Sequence, residues 1–65
     1  MPKSVWIEGK VIHITTLSIL FDYGGEKKAW VPRSQILDYS DETYQEGDTI
    51  EIEIPEWIAL KKDMI

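Results

Sequence analysis

Hydrophobic and polar residues alternate with a period of two along much of this chain, a spacing typical of β-strands. The pattern predicts a first strand over Val5–Thr16 and a later one over Thr49–Ile54, where three isoleucines alternate with two glutamates. The first strand is long, and a glycine at position 9 predicts a bulge, a bend or a close approach of the backbone. A strand bent in this way can serve two parts of a small barrel.

In the part of the chain between these two strands, two apolar runs joined by a pair of glycines predict a β-hairpin. Its strands cover Leu17–Tyr23 and Lys27–Val31. Pro32 ends the second of them, because proline has no N–H to donate to a strand ladder. Ser34–Leu37 is then predicted as one short helical turn, followed by a polar connector over residues 38–48.

The last segment, Pro55–Ile65, predicts a short helix that packs on the sheet, with a fifth strand as the alternative. Proline suits the first helical position, and Glu56 complements the positive end of the helix dipole. The apolar residues that recur at helical spacing, and so supply a packing face, are Trp57, Leu60 and Met64, with Ile58 beside them.

The order of these elements resembles the OB-fold, in particular the compact RNA-binding OB domains repeated in the largest small-subunit ribosomal protein. The matching motifs are Gly9-Lys10-Val11, the segment Trp30–Ile36, and a Gly-Asp pair that begins the segment Gly47–Ile52. The resemblance covers about residues 5–54 and implies a mainly β fold, a small OB-like β-barrel of four strands with a short C-terminal helix. A fifth strand is expected if residues 55–65 extend.

A second resemblance concerns short segments alone. Ala29–Ile36 and Ile54–Ala59 are similar to parts of short, mostly uncharacterised proteins of phages and mobile elements. This similarity implies a source but no mechanism.

Length and composition narrow the possibilities further. At 65 residues with no cysteine, the chain is expected to form a single domain, residues 1–65, without disulfides. No apolar run reaches the roughly 18 residues of a membrane span, and the first residues lack the apolar stretch of a signal peptide. We therefore expect a soluble, cytoplasmic protein with no membrane partner, as a monomer or a weak homodimer.

The formal net charge of −5 is unevenly distributed. Residues 1–37 carry five basic and three acidic side chains, whereas residues 38–65 carry two basic and nine acidic ones. Eight of those acids lie between Asp38 and Glu56. A solvated surface that keeps a small domain soluble is the simpler interpretation. The alternative is a patch that docks a basic partner or mimics nucleic acid.

Catalytic chemistry has little support in this sequence. His13 is the only histidine, and no nucleophile motif or second base accompanies it. One imidazole without a thiol is a poor basis for a metal site, and no glycine-rich phosphate loop precedes a helix. We predict a non-enzymatic binding domain with no catalytic residue, no metal ligand and no cofactor.

Weak, low-specificity binding of single-stranded DNA or RNA is the predicted function. OB-folds bind single strands around their second and third strands, where aromatic rings lie beside basic residues. Alternation places Trp30 on the outer side of the third strand with Lys28, and Val31 on the core side. Phe21 and one or two of the three tryptophans are expected in the core. The candidate nucleic-acid-binding residues are Lys10, His13, Tyr23, Lys27, Lys28, Trp30 and Arg33.

The alternative function is an acidic protein-interaction module, such as a phage-type inhibitor or an accessory subunit. An exposed Trp30 or Trp57 would suit a binding hot spot, and the acidic segment 38–56 could dock a basic groove. Besides Trp30, the candidate interface residues are Trp57, Asp41, Glu42, Glu51 and Glu53.

Overall fold

Five antiparallel strands form one sheet in the computed structural model, which describes residues 3–65. The strands are β1 (Ser4–Ile14), β2 (Ser18–Gly24), β3 (Lys27–Pro32), β4 (Asp38–Tyr39) and β5 (Thr49–Pro55). A 3-10 turn covers Arg33–Gln35 and the helix α1 covers Glu56–Lys61. The predicted mainly β fold with a short C-terminal helix is confirmed, and the residues after Pro55 are helical rather than a strand.

The long first strand has two partners, one for each half. Its Ser4–Lys10 segment pairs with β5, and its Lys10–Ile14 segment pairs with β2. The ladder with β2 shifts register between Val11 and His13, which is later than the glycine at which a bend was expected. Val11 and His13 lie opposite the adjacent residues Phe21 and Leu20, so β1 has one extra residue here, which is a β-bulge.

The backbone of β1 passes close to β2 at Gly9. A Cβ atom at this position would overlap the carbonyl oxygen of Asp22 and would lie 2.5 Å from Cε2 of Phe21. The close backbone approach predicted from the sequence is therefore confirmed, and the ring of Phe21 occupies the space that a side chain at position 9 would need.

The sheet is open. Its strand order is β3-β2-β1-β5-β4, so β3 and β4 are the two edges and the ladder does not close into the expected barrel. Besides the four predicted strands, the sheet contains the two-residue β4, which lies in the segment predicted as a polar connector. β4 pairs with β5, so β3 and β4 lie at opposite edges of the sheet. The helix α1 packs against β1 and β5 and covers the core there.

The core is aliphatic apart from one ring. One face of the sheet buries alternating isoleucines and valines around Phe21, which is fully buried as expected. The expectation that one or two tryptophans are buried is wrong, because Trp6, Trp30 and Trp57 are 47%, 46% and 58% exposed. The inward positions of the strands hold β-branched side chains that fill the interior, so Trp6 and Trp30 lie on outward positions. Trp57 lies on the exposed side of α1.

The buried face of α1 also differs from the prediction. Ile58 and Ala59 are buried, whereas Trp57 and Leu60 are each 58% exposed. The helix has only six residues, and the chain turns back after it so that the Met64 N–H donates to the carbonyl of Ala59 at 2.8 Å. This return brings Met64 into the same core cluster as Ile58, although Met64 lies beyond the end of the helix.

Candidate nucleic-acid interface

The outward sides of β1, β2 and β3 form one surface, which we call the outer face. Two cross-strand rows build it, because residues directly paired across antiparallel strands project to the same side. The rows are Lys10–Asp22–Lys28 and His13–Leu20–Trp30. Four of the seven residues predicted to bind nucleic acid, Lys10, His13, Lys28 and Trp30, are thus brought together on the outer face.

Trp30 is the central aromatic group of the outer face. Its neighbour Val31 is fully buried, so the alternation within β3 points the indole outward, as the sequence predicts. The His13 ring lies 6.2 Å from the indole, centroid to centroid, with an interplanar angle of 87°. This edge-to-face contact is favourable for aromatic pairs and leaves the indole about half exposed.

Glu46 brings a carboxylate to the rim of the outer face. Its Oε2 atom lies 3.0 Å from Nδ1 of His13, an ion pair when the imidazole is protonated, and accepts the N–H of Ile14 at 2.9 Å. The connector is further fixed to the bulged part of β1 because Gly47 N–H donates to the Val11 carbonyl at 2.7 Å. Sequence reasoning missed this carboxylate, which has no local signal since it is 33 residues from His13.

The other three predicted residues lie elsewhere. Tyr23 is half-buried against the core and donates its hydroxyl to the Lys62 carbonyl at 3.2 Å. Lys27 borders a shallow depression beside Tyr23. Arg33 lies at the loop between β1 and β2, where its Nη1 donates to the Thr15 carbonyl at 3.1 Å. Alternation along β2 and β3 places Tyr23 on the side of Phe21 and Lys27 on the side of Val31, away from the outer face.

An apolar residue of the β1–β2 loop, Leu17, lies next to Arg33. Leu17 is 78% exposed, and its carbonyl accepts the backbone N–H of Arg33 at 2.8 Å. The sequence pattern had assigned Leu17 to the second strand, but β2 begins at Ser18. Together with the half-buried Leu20, it adds apolar surface on which a base could pack.

The rest of the sheet's outer surface is acidic, and we call it the acidic half. Along β1 and β5, Trp6 lies opposite Glu53 and Glu8 lies opposite Glu51. Asp38 of β4 is paired with Glu53 from the other side. Like charges directly opposite one another on a sheet are unfavourable. The acidic half is therefore a negative surface on β1, β5 and β4, distinct from the surface that holds the lysines of β1 and β3.

The residues predicted for the protein-interaction alternative are divided among three places. Glu51 and Glu53 lie on the acidic half, and Trp57 lies on α1. Asp41 and Glu42 lie in the connector, where the Asp41 carboxylate accepts the Thr43 hydroxyl at 2.7 Å and the Thr43 N–H at 2.9 Å. These hydrogen bonds, the hydroxyl first, lower the pKa of Asp41. The connector carboxylate is therefore engaged in its own turn.

A tyrosine pair packs the connector against the core. The rings of Tyr39 and Tyr44 stack at 5.2 Å with an interplanar angle of 17°. The Tyr44 hydroxyl oxygen is buried and has no partner at hydrogen-bond geometry among residues 3–65. Tyr39 and Arg33 are its polar neighbours. Burial is the main cause that raises the pKa of Tyr44, with Tyr39 adding to it and Arg33 opposing it.

Within residues 3–65, no three histidine, aspartate or glutamate side chains gather as metal ligands would. Across the same residues no helix has the length and apolar character needed to cross a membrane. Comparison with protein-family models, curated proteins and solved structures finds no match for this chain.

Proposed function

We propose that this domain binds single-stranded nucleic acid, weakly and with little sequence preference, through the outer face. The observation that carries the proposal is the half-exposed indole of Trp30, which His13 contacts edge-on in a cross-strand row next to the row that holds the lysines of β1 and β3. The charge of these lysines, Lys10 and Lys28, is only partly offset by Asp22, which is paired with both. The OB-like order of strands in the sequence adds to the proposal.

The chemistry of this surface suits stacking rather than base reading. Stacking of one base on an aromatic side chain contributes about 1–3 kcal/mol, and every base offers a ring face for it. Trp30 is one such platform, and Leu20 beside it adds apolar contact. A millimolar dissociation constant corresponds to about −4 kcal/mol, so one stacked base with two phosphate contacts gives binding in the high micromolar range.

The distribution of charge restricts the path of the strand. The acidic half repels phosphates, so the nucleic acid is expected to cross β1, β2 and β3 and to avoid β5. Two phosphates neutralised by Lys10 and Lys28 would release their counterions, and the logarithm of affinity would fall with the logarithm of salt with a slope of about −1.4. Binding is therefore expected at low ionic strength and should be much weaker at physiological salt.

The three tryptophans make the proposal testable, because each reports on a different surface. Protein labelled with 5-fluorotryptophan should give three fluorine resonances, assigned from single Trp→Phe variants. Titration with oligo-dT and oligo-U at low salt should shift the Trp30 resonance and leave those of Trp6 and Trp57 in place.

Variants then separate stacking from phosphate contact. Trp30→Ala should weaken oligonucleotide binding at least about fivefold through lost stacking. Lys28→Glu should weaken it and make the salt dependence shallower. Trp57→Ala, a loss of an equally large exposed indole, is the matched control and should keep the wild-type affinity. The proposal is refuted if oligonucleotides cause no shift at about 1 mM, or if the binding is unaffected by Trp30→Ala and Lys28→Glu.

A second candidate, docking of a basic protein partner, is favoured by one feature of the acidic half. Its carboxylates are directly opposed across strands with Trp6 beside them, so a cationic partner would relieve their repulsion. Pull-down after nuclease treatment should then recover one dominant basic protein, and Glu51→Lys should abolish its capture. Recovery of nucleic-acid-dependent partners alone would contradict this candidate.

A further inference from the structure

The outer edge of β3 is a free strand edge. β3 pairs with β2 on one side and is the terminal strand of the sheet, and no other strand within residues 3–65 pairs with its second side. With six residues from Lys27 to Pro32, it offers an edge of about 20 Å at roughly 3.3 Å per residue. Such an edge can accept an extended peptide through backbone hydrogen bonds.

A depression lies beside each end of this edge. At the Pro32 end, residues of the 3-10 turn and of α1 enclose about 230 Å³, with Trp57 and Ile58 among the lining. At the Lys27 end, the hairpin and the returning C-terminal residues, including Met64, border about 390 Å³. Since an apolar cavity of about 150 Å³ can hold a benzene molecule, the first depression has room for an aromatic side chain.

The charges around these depressions are of one sign apart from Asp63. Lys61 and Lys62 line the first depression, and Lys27 lines the second together with Asp63. In a protein of net charge −5, Lys61 and Lys62 are the only basic residues after Arg33, and both are at this site. The surroundings of the edge therefore complement an acidic occupant.

The residues of β3 itself argue against a second copy of this chain as the occupant. Edge lysines and a proline disfavour pairing of a strand with its own copy, and β3 carries Lys27, Lys28 and Pro32. Two copies of the edge would bring like charges together, whereas an acidic strand would neutralise them.

We propose that β3 accepts an extended acidic segment of a protein partner as an added strand. An apolar side chain of that segment enters the depression between Pro32 and Trp57, and its carboxylates face Lys61 and Lys62. This surface is separate from the outer face, because strand addition uses the backbone edge of β3 while Trp30 projects from the sheet. The inference does not depend on nucleic-acid binding.

The test uses short synthetic peptides as probes. An acetylated and amidated peptide in which glutamate alternates with valine is titrated into the 5-fluorotryptophan-labelled, ¹⁵N-labelled protein. Phenylalanine replaces its central glutamate, so that the ring and the remaining carboxylates lie on the same side of the added strand. The controls are the same peptide with lysine for each glutamate, and the acidic peptide with alternate backbone nitrogens methylated, which cannot pair as a strand. The variants are Lys61→Glu/Lys62→Glu and, as the matched control on the outer face, Lys10→Glu.

The acidic peptide should shift the Trp57 resonance and the β3 amides while leaving Trp6 unchanged. Charge reversal at Lys61 and Lys62 should weaken it about fivefold or more, and Lys10→Glu should leave its affinity unchanged. N-methylation should abolish binding.

Three results would overturn the proposal. One is the absence of β3 shifts at about 1 mM acidic peptide. A second is equal binding of the lysine peptide or the methylated peptide, since either excludes an acidic added strand. The third is a shift of the β3 amides with protein concentration alone, which would assign the edge to a second copy of the chain.

Discussion

Substitution of Gly9 by alanine tests how tightly β1 crosses the core. The new Cβ would overlap the Asp22 carbonyl oxygen and lie 2.5 and 2.8 Å from two ring carbons of Phe21. The carbonyl oxygen belongs to the backbone of β2, and Phe21 is fully buried, so neither neighbour can move away without disturbing the sheet or the core.

The size of the effect follows from these contacts. Overpacking a core costs about 1–3 kcal/mol, and the crowding of backbone here puts Gly9→Ala at the upper end. Loss of glycine's flexibility in the unfolded chain returns about 0.5–1 kcal/mol. The expected net loss is about 2 kcal/mol, against a total of roughly 3–10 kcal/mol for a 65-residue domain. The midpoint of thermal unfolding should fall by about 10 °C.

Urea unfolding followed by tryptophan fluorescence measures the loss directly. Phe21→Leu should destabilise the wild type but cost much less in the Gly9→Ala background, since the smaller side chain makes room for the methyl group. Gly25→Ala is the matched control, because no atom lies within 4 Å of its Cβ position and only its φ of 57° opposes the change. Unchanged or increased stability of Gly9→Ala, or strictly additive effects with Phe21→Leu, would refute this account of the crossing.

Two further predictions concern the connector. Glu46→Gln keeps an acceptor for the Ile14 N–H but removes a negative charge beside His13, so oligonucleotide affinity at low salt should rise about twofold; Glu42→Gln, in the preceding turn, is the control, and equal gains from both would contradict a local effect. Tyr44→Phe removes a buried hydroxyl that has no hydrogen-bond partner among residues 3–65, so the free energy of unfolding at pH 7 should stay constant or rise by up to about 1 kcal/mol. Because the folded state raises the pKa of Tyr44, wild-type stability should fall as pH rises from about 10 through that raised value, and the phenylalanine variant should lose less over this range in alkaline urea titrations. A lower free energy of unfolding for the variant at pH 7 would show that the hydroxyl is hydrogen-bonded, and an equal loss of stability with pH in both proteins would contradict the raised pKa.

Much of the candidate site follows from local pattern. Lys28 and Trp30 could be assigned to the outer side of β3 because Val31, between Trp30 and Pro32, had to face the core. The same alternation places Tyr23 on the core side of β2 with Phe21, and Lys27 on the side of β3 opposite Lys28. His13 could not be assigned in this way, because the bulge between Val11 and His13 interrupts the alternation of β1. Composition does not predict where a ladder shifts, since a bulge is fixed by the packing of neighbouring strands.

The exposure of the tryptophans is the clearest case in which residue type misled. Large aromatic residues are usually needed in the core of a small domain, yet all three indoles lie on outward positions. Register decides this for Trp6 and Trp30, because the inward positions next to them hold Ile7 and Val31. Trp57 lies on α1, where Ile58 and Ala59 take the buried positions. The predicted packing face of α1 is wrong for Trp57 and Leu60, because the helix has only six residues and the chain then turns back onto the core.

Local pattern in the sequence is enough to predict which side of β3 and β5 faces the core and where the hairpin turns, and it favours a helix after Pro55 while leaving a strand open. These properties depend on residues close together in the chain, because a period of two fixes the side on which each residue lies. Tertiary structure alone decided that β1 divides its pairing between β2 and β5, that Glu46 meets His13, and that β3 keeps a free edge. Each of these depends on backbone pairing or packing between distant segments, for which local alternation carries no information.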